Sequence, residues 1–248
     1  MTTKIELIEV PFSYFRMLSL AFFFMSSSVF AAQQEALPKR IQANYVVTKD
    51  GQAFANISEQ YVVTGNTYTV ESSTKGVGVY ALLGVRKLTS TGTVTKQGLK
   101  PAHFELHQGN SKKALFADFD WPKNTLRMLV KGVNQDVALS AGTQDLASYP
   151  YQFMFLPRPL VNSVTVKLTT GKKLKTYQYQ IDETQALLSV ADTQYKTVHL
   201  VLSGQVKDQI GARELWLAPE QNYLLVRFLM VDDDGAKLEQ TLTELHVD

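Results

Sequence analysis

From Ile41 onward the chain is punctuated by turns at intervals too short for helices and strands to alternate. Lys49-Asp50-Gly51 follows the run Ala43–Val47, and an Asp-Gly pair favours a two-residue hairpin because both positions take positive φ. Gly65-Asn66 separates Phe54–Val63 from Tyr68–Glu71, and Pro122-Lys123-Asn124, Thr170-Gly171-Lys172 and Asp234-Gly235 divide later runs in the same way. Segments rich in Thr, Val, Tyr and Phe recur at 86–95, 102–108, 113–121, 126–131, 164–169, 174–181, 185–191, 195–202, 213–217, 223–231 and 237–245. Many strands joined by local turns predict an antiparallel meander and not a βαβ fold. In Leu115–Trp121 the odd positions are apolar while Asp118 and Asp120 are acidic, so one face is buried and the other wet. The expected fold is mainly β: a single curved antiparallel sheet or open β-barrel of about ten or more strands, with one or two short helices.

Two segments break the strand pattern. Val77–Leu83, between glycines, reads as a short helical turn or an apolar loop. Thr143–Leu156 reads as a helix that begins with a capping residue and with Asp145 near its start, and that Pro150 must kink or restart. Tyr149, Tyr151, Phe153 and Phe155 form an aromatic surplus there. Such a segment either packs on the sheet or serves as a lid, because a wide sheet cannot fill its own centre with side chains. Val77, Tyr80, Leu83, Tyr151, Phe153 and Phe155 are therefore the candidate cavity or lid residues. The ligand reading expects a cavity of several hundred Å³ beneath 77–83 and 144–156.

The titratable residues assemble no recognisable chemistry. Lys and Arg number 25 against 23 Asp and Glu, for a net charge of +2, and they are dispersed, which argues against a nucleic-acid partner. The chain has no Cys, which removes disulfides, thiolate zinc sites and thiol nucleophiles together. His103-Phe104-Glu105-Leu106-His107 has ligand residue types, but HxExH on a strand sets the two imidazoles about 13 Å apart, too far to share an ion. Asp232-Asp233-Asp234-Gly235 lacks the alternation and terminal Glu of a calcium loop and reads as a hairpin tip. Gly76-Val77-Gly78 lacks the third glycine and the long helix of a phosphate loop, and there is no GxSxG elbow. No catalytic, cofactor or metal residue is assigned, and an enzyme is disfavoured. A hydrolase would need His103, His107, Asp118 and Asp120 to converge.

The N-terminus points to export. Arg16 precedes the apolar run Met17–Phe30, which has the length of a signal-peptide core and falls short of the roughly 20 residues of a membrane span. Val29-Phe30-Ala31 places cleavage between Ala31 and Ala32, and the absence of Cys argues against a lipid anchor. Glu6 and Glu9 are unusual in such a leader, and Met17 is an alternative start. The expected organisation is a cleaved signal peptide 1–31, a flexible leader 32–40 and a single β-rich domain 41–248. The mature chain would be soluble and periplasmic, with no transmembrane segment.

The hairpin Glu214–Phe228 resembles the C-terminal signature of a bacterial envelope family catalogued as domain of unknown function 3108. Glu214-Leu215-Trp216-Leu217-Ala218-Pro219 is followed by Tyr223-Leu224-Leu225-Val226-Arg227, with Leu225 where the family has proline. Gly84-Val85-Arg86 through Gly92-Thr93-Val94, then Gly98-Leu99-Lys100-Pro101 and Phe104, are similar to another family phrase. Phe116–Trp121, Gln144–Ser148 with Tyr151-Gln152, Tyr177–Tyr179 and Thr197–Leu200 follow in the family's order. The resemblance covers roughly residues 43–243, implies an exported, mainly β protein of unknown function, and carries no catalytic residue. In architecture the chain is also similar to periplasmic lipoprotein carriers, open β-barrels with helical lids. The expected function is non-catalytic binding of an apolar or amphipathic, lipid-like envelope molecule. The alternative is an envelope protein-interaction or assembly factor without a small ligand.

Overall fold

The computed structural model describes residues 37–248 except 110, 112, 113, 131, 191 and 207. The expected signal peptide, its Ala31–Ala32 cleavage point and most of the leader lie outside the described residues. Ala36–Asp248 makes one compact unit.

The first meander runs β1 (Arg40–Lys49), β2 (Gln52–Thr64), β3 (Thr67–Gly76), β4 (Val85–Thr95), β5 (Gly98–Gln108), β6 (Leu115–Asp120), β7 (Thr125–Val130) and β8 (Val133–Ala138). The chain then forms β9 (Thr143–Asp145) and a short helix α1 (Tyr149–Gln152) that continues as a 3₁₀ turn, Phe153–Phe155. A second meander follows: β10 (Val164–Thr169), β11 (Leu174–Val190), β12 (Thr193–Leu202), β13 (Arg213–Ala218), β14 (Leu224–Val231) and β15 (Lys237–Val247). All fifteen strands share one sheet, in the order β8-β7-β6-β5-β4-β3-β2-β1-β15-β14-β13-β12-β11-β10-β9. The meanders join where β1 pairs antiparallel with β15, Ile41 opposite Val247. Only β9 and β10 run parallel.

Turn chemistry sets the registers as expected. Asp50 and Gly51 both have positive φ, at 51° and 78°, and Gly65, Asn124, Gly171 and Gly235 take the left-handed conformation in their turns. Alternation sets the faces. Ala43, Tyr45, Tyr61, Tyr68, Val70, Leu88, Phe104, Ala117, Phe119, Leu126 and Met128 are buried in one cluster. The opposite face is polar: His103, Asp118, Arg127 and Asp136 lie opposite one another across β5 to β8. A lipid-facing barrel surface does not carry such charges.

The sheet curls until its β9 edge meets the start of β5, but not through backbone hydrogen bonds. The Gln144 amide donates to the Leu99 carbonyl at 2.8 Å, and the Leu99 N–H donates to the Gln152 side chain at 2.7 Å. These bonds tie the β9 edge to the start of β5. The other edge, β8, is short, polar and mostly exposed, which protects it from pairing with other chains.

Three expectations change. Thr143–Asp145 is a strand, not a helix start, because it pairs with β10; the helix begins six residues later, with Pro150 in the first turn where its missing N–H costs nothing. The two strands expected at 174–181 and 185–191 are one, β11 (Leu174–Val190), with irregular pairing after Ile181 and Glu183. Val133–Ala138 is a strand that the sequence did not reveal.

Candidate functional site

The segment between β9 and β10 enters the curled sheet as a plug. Tyr151 and Met154 pack with the first meander, while Phe153 packs with Val166, Leu200, Leu215, Leu217 and Tyr223 of the second half. The Tyr151 ring stacks on Tyr61 at 4.9 Å and 12°, and its hydroxyl donates to Glu59 Oε2 at 3.2 Å. Ser72 donates to the other Glu59 oxygen at 3.0 Å. Burial pushes the Glu59 carboxyl above its ordinary value, and these two bonds offset part of the rise.

A buried polar knot fixes the plug. Asp145 Oδ2 accepts from the Ser90 hydroxyl at 2.6 Å, and Oδ1 accepts from the Ala147 and Ser148 N–H groups, both at 2.9 Å. With Ser90 donating to Asp145, the Tyr68 hydroxyl donates to Ser90 at 3.1 Å. Two glycines make room: a Cβ on Gly92 would strike the Tyr68 ring, and one on Gly98 would strike the Gln152 amide.

Burial raises the Asp145 carboxyl to about 6, with the hydrogen bonds pulling the other way. An unfolded Asp titrates near ~3.9, so between about pH 4 and 6 the folded chain holds a proton that the unfolded chain has lost. This contribution stabilises the fold at low pH and declines as pH rises through the window, by about 3 kcal/mol in all. Asp145→Asn is expected to flatten that part of the stability profile. Urea midpoints of both proteins across the window check this, and parallel profiles would refute it.

The plug leaves open space at one end of the barrel, where the β10–β11 turn approaches the start of β6. Gly171 has Leu115 about 3.1 Å from where its Cβ would lie. A cleft of about 710 Å³ opens there, lined by Leu106, Ala114, Leu115, Phe116 and Leu129, with Lys172 at its margin. The size is that of a small-molecule site. Beside it, the 3₁₀ turn Gly78–Leu83 is held by the Tyr80 ring against Phe54 at 4.6 Å and by the close approach of Gly109 to the Leu83 carbonyl.

The six cavity or lid candidates fall into two groups. Tyr151 and Phe153 are almost wholly buried in the plug, and Phe155 is half-buried beside them. Val77 and Leu83 are exposed on the apolar turn, and Tyr80 faces inward from it. None of the six lines the 710 Å³ cleft.

His103 and His107 each lie within hydrogen-bond distance of a carboxylate on the outer face. His103 Nδ1 meets Asp118 at 2.6 Å, His107 meets Glu105 at 2.5 Å, and Asp120 bonds Lys123 at 3.0 Å. His103 and His107 therefore serve different carboxylates. A second cluster escaped the sequence reading. The buried His199 ring faces Glu214 at 2.9 Å through Nε2 and Asp182 at 3.1 Å through Nδ1. It stacks on Trp216 at 4.2 Å, and Arg227 lies 4.6 Å from the same indole and binds Glu239 at 2.8 Å. The two carboxylates approach opposite edges of the imidazole, so they cannot share one ion with it. The ladder ties β11 to β15. Its only sequence signal is polar residues at alternate positions, which become neighbours once His199 is set opposite Trp216.

Among the described residues no helix is long and apolar enough to cross a membrane. A comparison with curated proteins gives no match. Two solved structures are similar. A β-barrel-like protein of domain of unknown function DUF1849 from Brucella abortus is 13% identical, covering 86% of this chain and 99% of that one, with a TM-score of 0.54. A "putative lipoprotein" from Parabacteroides distasonis ATCC 8503 is 12% identical, covering 85% and 97%, with a TM-score of 0.36. The first likeness shows the fold. The family model described as protein of unknown function (DUF3108) matches residues 40–243, from the first residue of β1 into β15, and the chain belongs to that family.

Proposed function

We propose that the protein is exported to the periplasm and there binds an apolar or amphipathic, lipid-like molecule of the cell envelope without catalysis. The observation that carries the reading is the cleft of about 710 Å³, with Leu106, Leu115, Phe116 and Leu129 on its walls and His107, Gln108, Ser111 and Lys172 as its polar lining. An acyl chain would lie along Leu106, Leu115 and Leu129, and an anionic head would meet Lys172. The apolar turn with Val77, Tyr80 and Leu83 stands beside this mouth as its flap. The plug with Tyr151, Phe153 and Phe155 closes the interior and confines the ligand to the end of the barrel.

Native mass spectrometry of protein purified from the periplasm, followed by solvent extraction, tests the reading. The expected result is a reproducible bound mass that extracts as lipid. Ala114→Trp fills the cleft and is expected to lower its occupancy at least ~10-fold while the fold is kept. A clean apo mass from folded wild-type protein would overturn the reading. It would favour the second one, an envelope interaction or assembly factor, which the filled interior and the exposed apolar turn support.

A further inference from the structure

We infer that the end of the barrel bearing the cleft docks on a lipid surface with anionic headgroups, an inference that rests on the lipid-like reading of the cleft. Strand direction defines that end. The ends of the strands joined by the β1–β2, β3–β4, β5–β6, β7–β8, β10–β11, β12–β13 and β14–β15 connections all lie there. They form a closed ring, because Lys172 of the β10–β11 turn lines the cleft together with Gly132 of the β7–β8 turn. The opposite end carries the turns at 65–66, 96–97, 121–124 and 219–223, which are mostly polar.

The two ends differ in what they show to solvent. Val79, Leu82, Leu83, Val133, Val206 and Ile210, each 59–83% exposed, sit in the ring or at its margin. The opposite end carries Val161, Leu187 and Val247. This fringe is held rigidly outward. A Cβ on Gly76 would strike the Tyr80 carbonyl, and one on Gly109 the Leu83 carbonyl, so the turn sits tightly on the barrel. An apolar fringe kept in water has a partner surface.

The chemistry of the fringe selects the partner. It is aliphatic, without aromatic anchors, and exposed lysines stand around the turn and the cleft: Lys75, Lys87, Lys172 and Lys173. Protein interfaces favour aromatics and arginine and are depleted in lysine, whereas aliphatic tips ringed by lysine suit an anionic bilayer surface. Of the carboxylates in the ring, Asp208 pairs with the Lys237 ammonium at 3.0 Å, Asp50 accepts the Lys237 N–H at 2.8 Å and Asp232 holds its own hairpin, while Asp233 and Asp234 are exposed on the β14–β15 turn, away from those four lysines. Docked this way, the mouth of the cleft faces the bilayer, and an amphiphile passes between membrane and protein without crossing water.

Cosedimentation of the purified protein with vesicles of phosphatidylethanolamine and phosphatidylglycerol tests the inference, with phosphatidylcholine vesicles as the neutral comparison. Wild type is expected to pellet with the anionic vesicles and to be released by salt. Val206→Asp with Ile210→Asp, two exposed positions of the ring outside the flap and the cleft, is expected to lower the partition coefficient at least ~10-fold. The same variant is expected to keep its extractable bound mass, and Ala114→Trp to lose the mass but keep the vesicles. No vesicle binding by wild type, or equal binding by the Asp variant, overturns the docking surface. If a bound lipid mass persists in that case, the ligand reading survives alone; if vesicles bind and no lipid extracts, docking survives alone. Crosslinking from Leu83 to a second copy or to another protein, without vesicle binding, would also overturn it.

Discussion

Tyr151→Ala is expected to lower the unfolding free energy by about 3–5 kcal/mol, the range for removing a large buried aromatic. Tyr151 is 1% exposed and stacks on Tyr61, which in turn lies 6.4 Å from Tyr68. Removing the ring opens a void between plug and sheet, and the backbone on both sides is fixed by hydrogen bonds, so it cannot collapse to fill it. The hydroxyl adds a smaller effect: Tyr151→Phe keeps the ring and loses only the bond to Glu59, for about 1 kcal/mol. Urea unfolding of both variants separates the two contributions. A loss below about 1 kcal/mol for the alanine variant would mean that the segment opens as a lid independently of the barrel.

Asp145→Ala is expected to cost about 2–5 kcal/mol at neutral pH. Three donors, the Ser90 hydroxyl and the Ala147 and Ser148 N–H groups, lose their acceptor inside the protein. At about 2 kcal/mol each, the middle of the usual range, that penalty exceeds the roughly 3 kcal/mol regained by no longer burying a carboxylate. Asparagine regains the second quantity and keeps both backbone bonds, while Ser90 turns to accept. The predicted order of stability at neutral pH is therefore Asn above Asp above Ala. Equal stability of the Ala and Asn variants would show that the plug does not depend on the knot.

The knot also gives a physical meaning to the phrases by which the family was recognised. Leu99 accepts from the Gln144 amide and donates to the Gln152 side chain, Gly92 makes room for Tyr68, and Asp145 ties the plug to Ser90. Segments separated by some fifty residues in sequence meet at one lock. Their order was visible in the chain, but their contact was not, because nothing local reports that the sheet curls.

Elements with a local cause were legible. Asp-Gly turns and the alternation in Leu115–Trp121 predict hairpins and faces that the structure keeps, with Ala117 and Phe119 buried and Asp118 exposed. β8 is hard to see in the sequence because its core-facing side, Val133, Gln135 and Val137, is interrupted by a polar residue; Val137 packs on the core and hydrogen bonds to β7 hold the rest. β9 was misread because Thr143 and Asp145 are the residue types of a helix cap, and a cap and a tight turn before a helix draw on the same side-chain acceptors. The cleft has no motif at all. Its walls join core residues, Leu106 and Leu115, to half-buried and exposed residues at the ends of neighbouring strands.

The pairing of β1 with β15 places the first and last strands of the sheet at its centre. Ile41 meets Val247, and the Arg40 N–H reaches the Asp248 carbonyl at 3.2 Å. The two meanders can each form locally, but their seam forms only after Lys237–Val247 has been synthesised. Most of the chain must therefore wait with two open, apolar-faced half-sheets, and loop closure across some two hundred residues makes that last step slow. On the export proposed above this delay is useful, since a chain that cannot close its barrel early stays threadable through a translocation channel. Its cost is a period in which two unpaired edges are open to other chains.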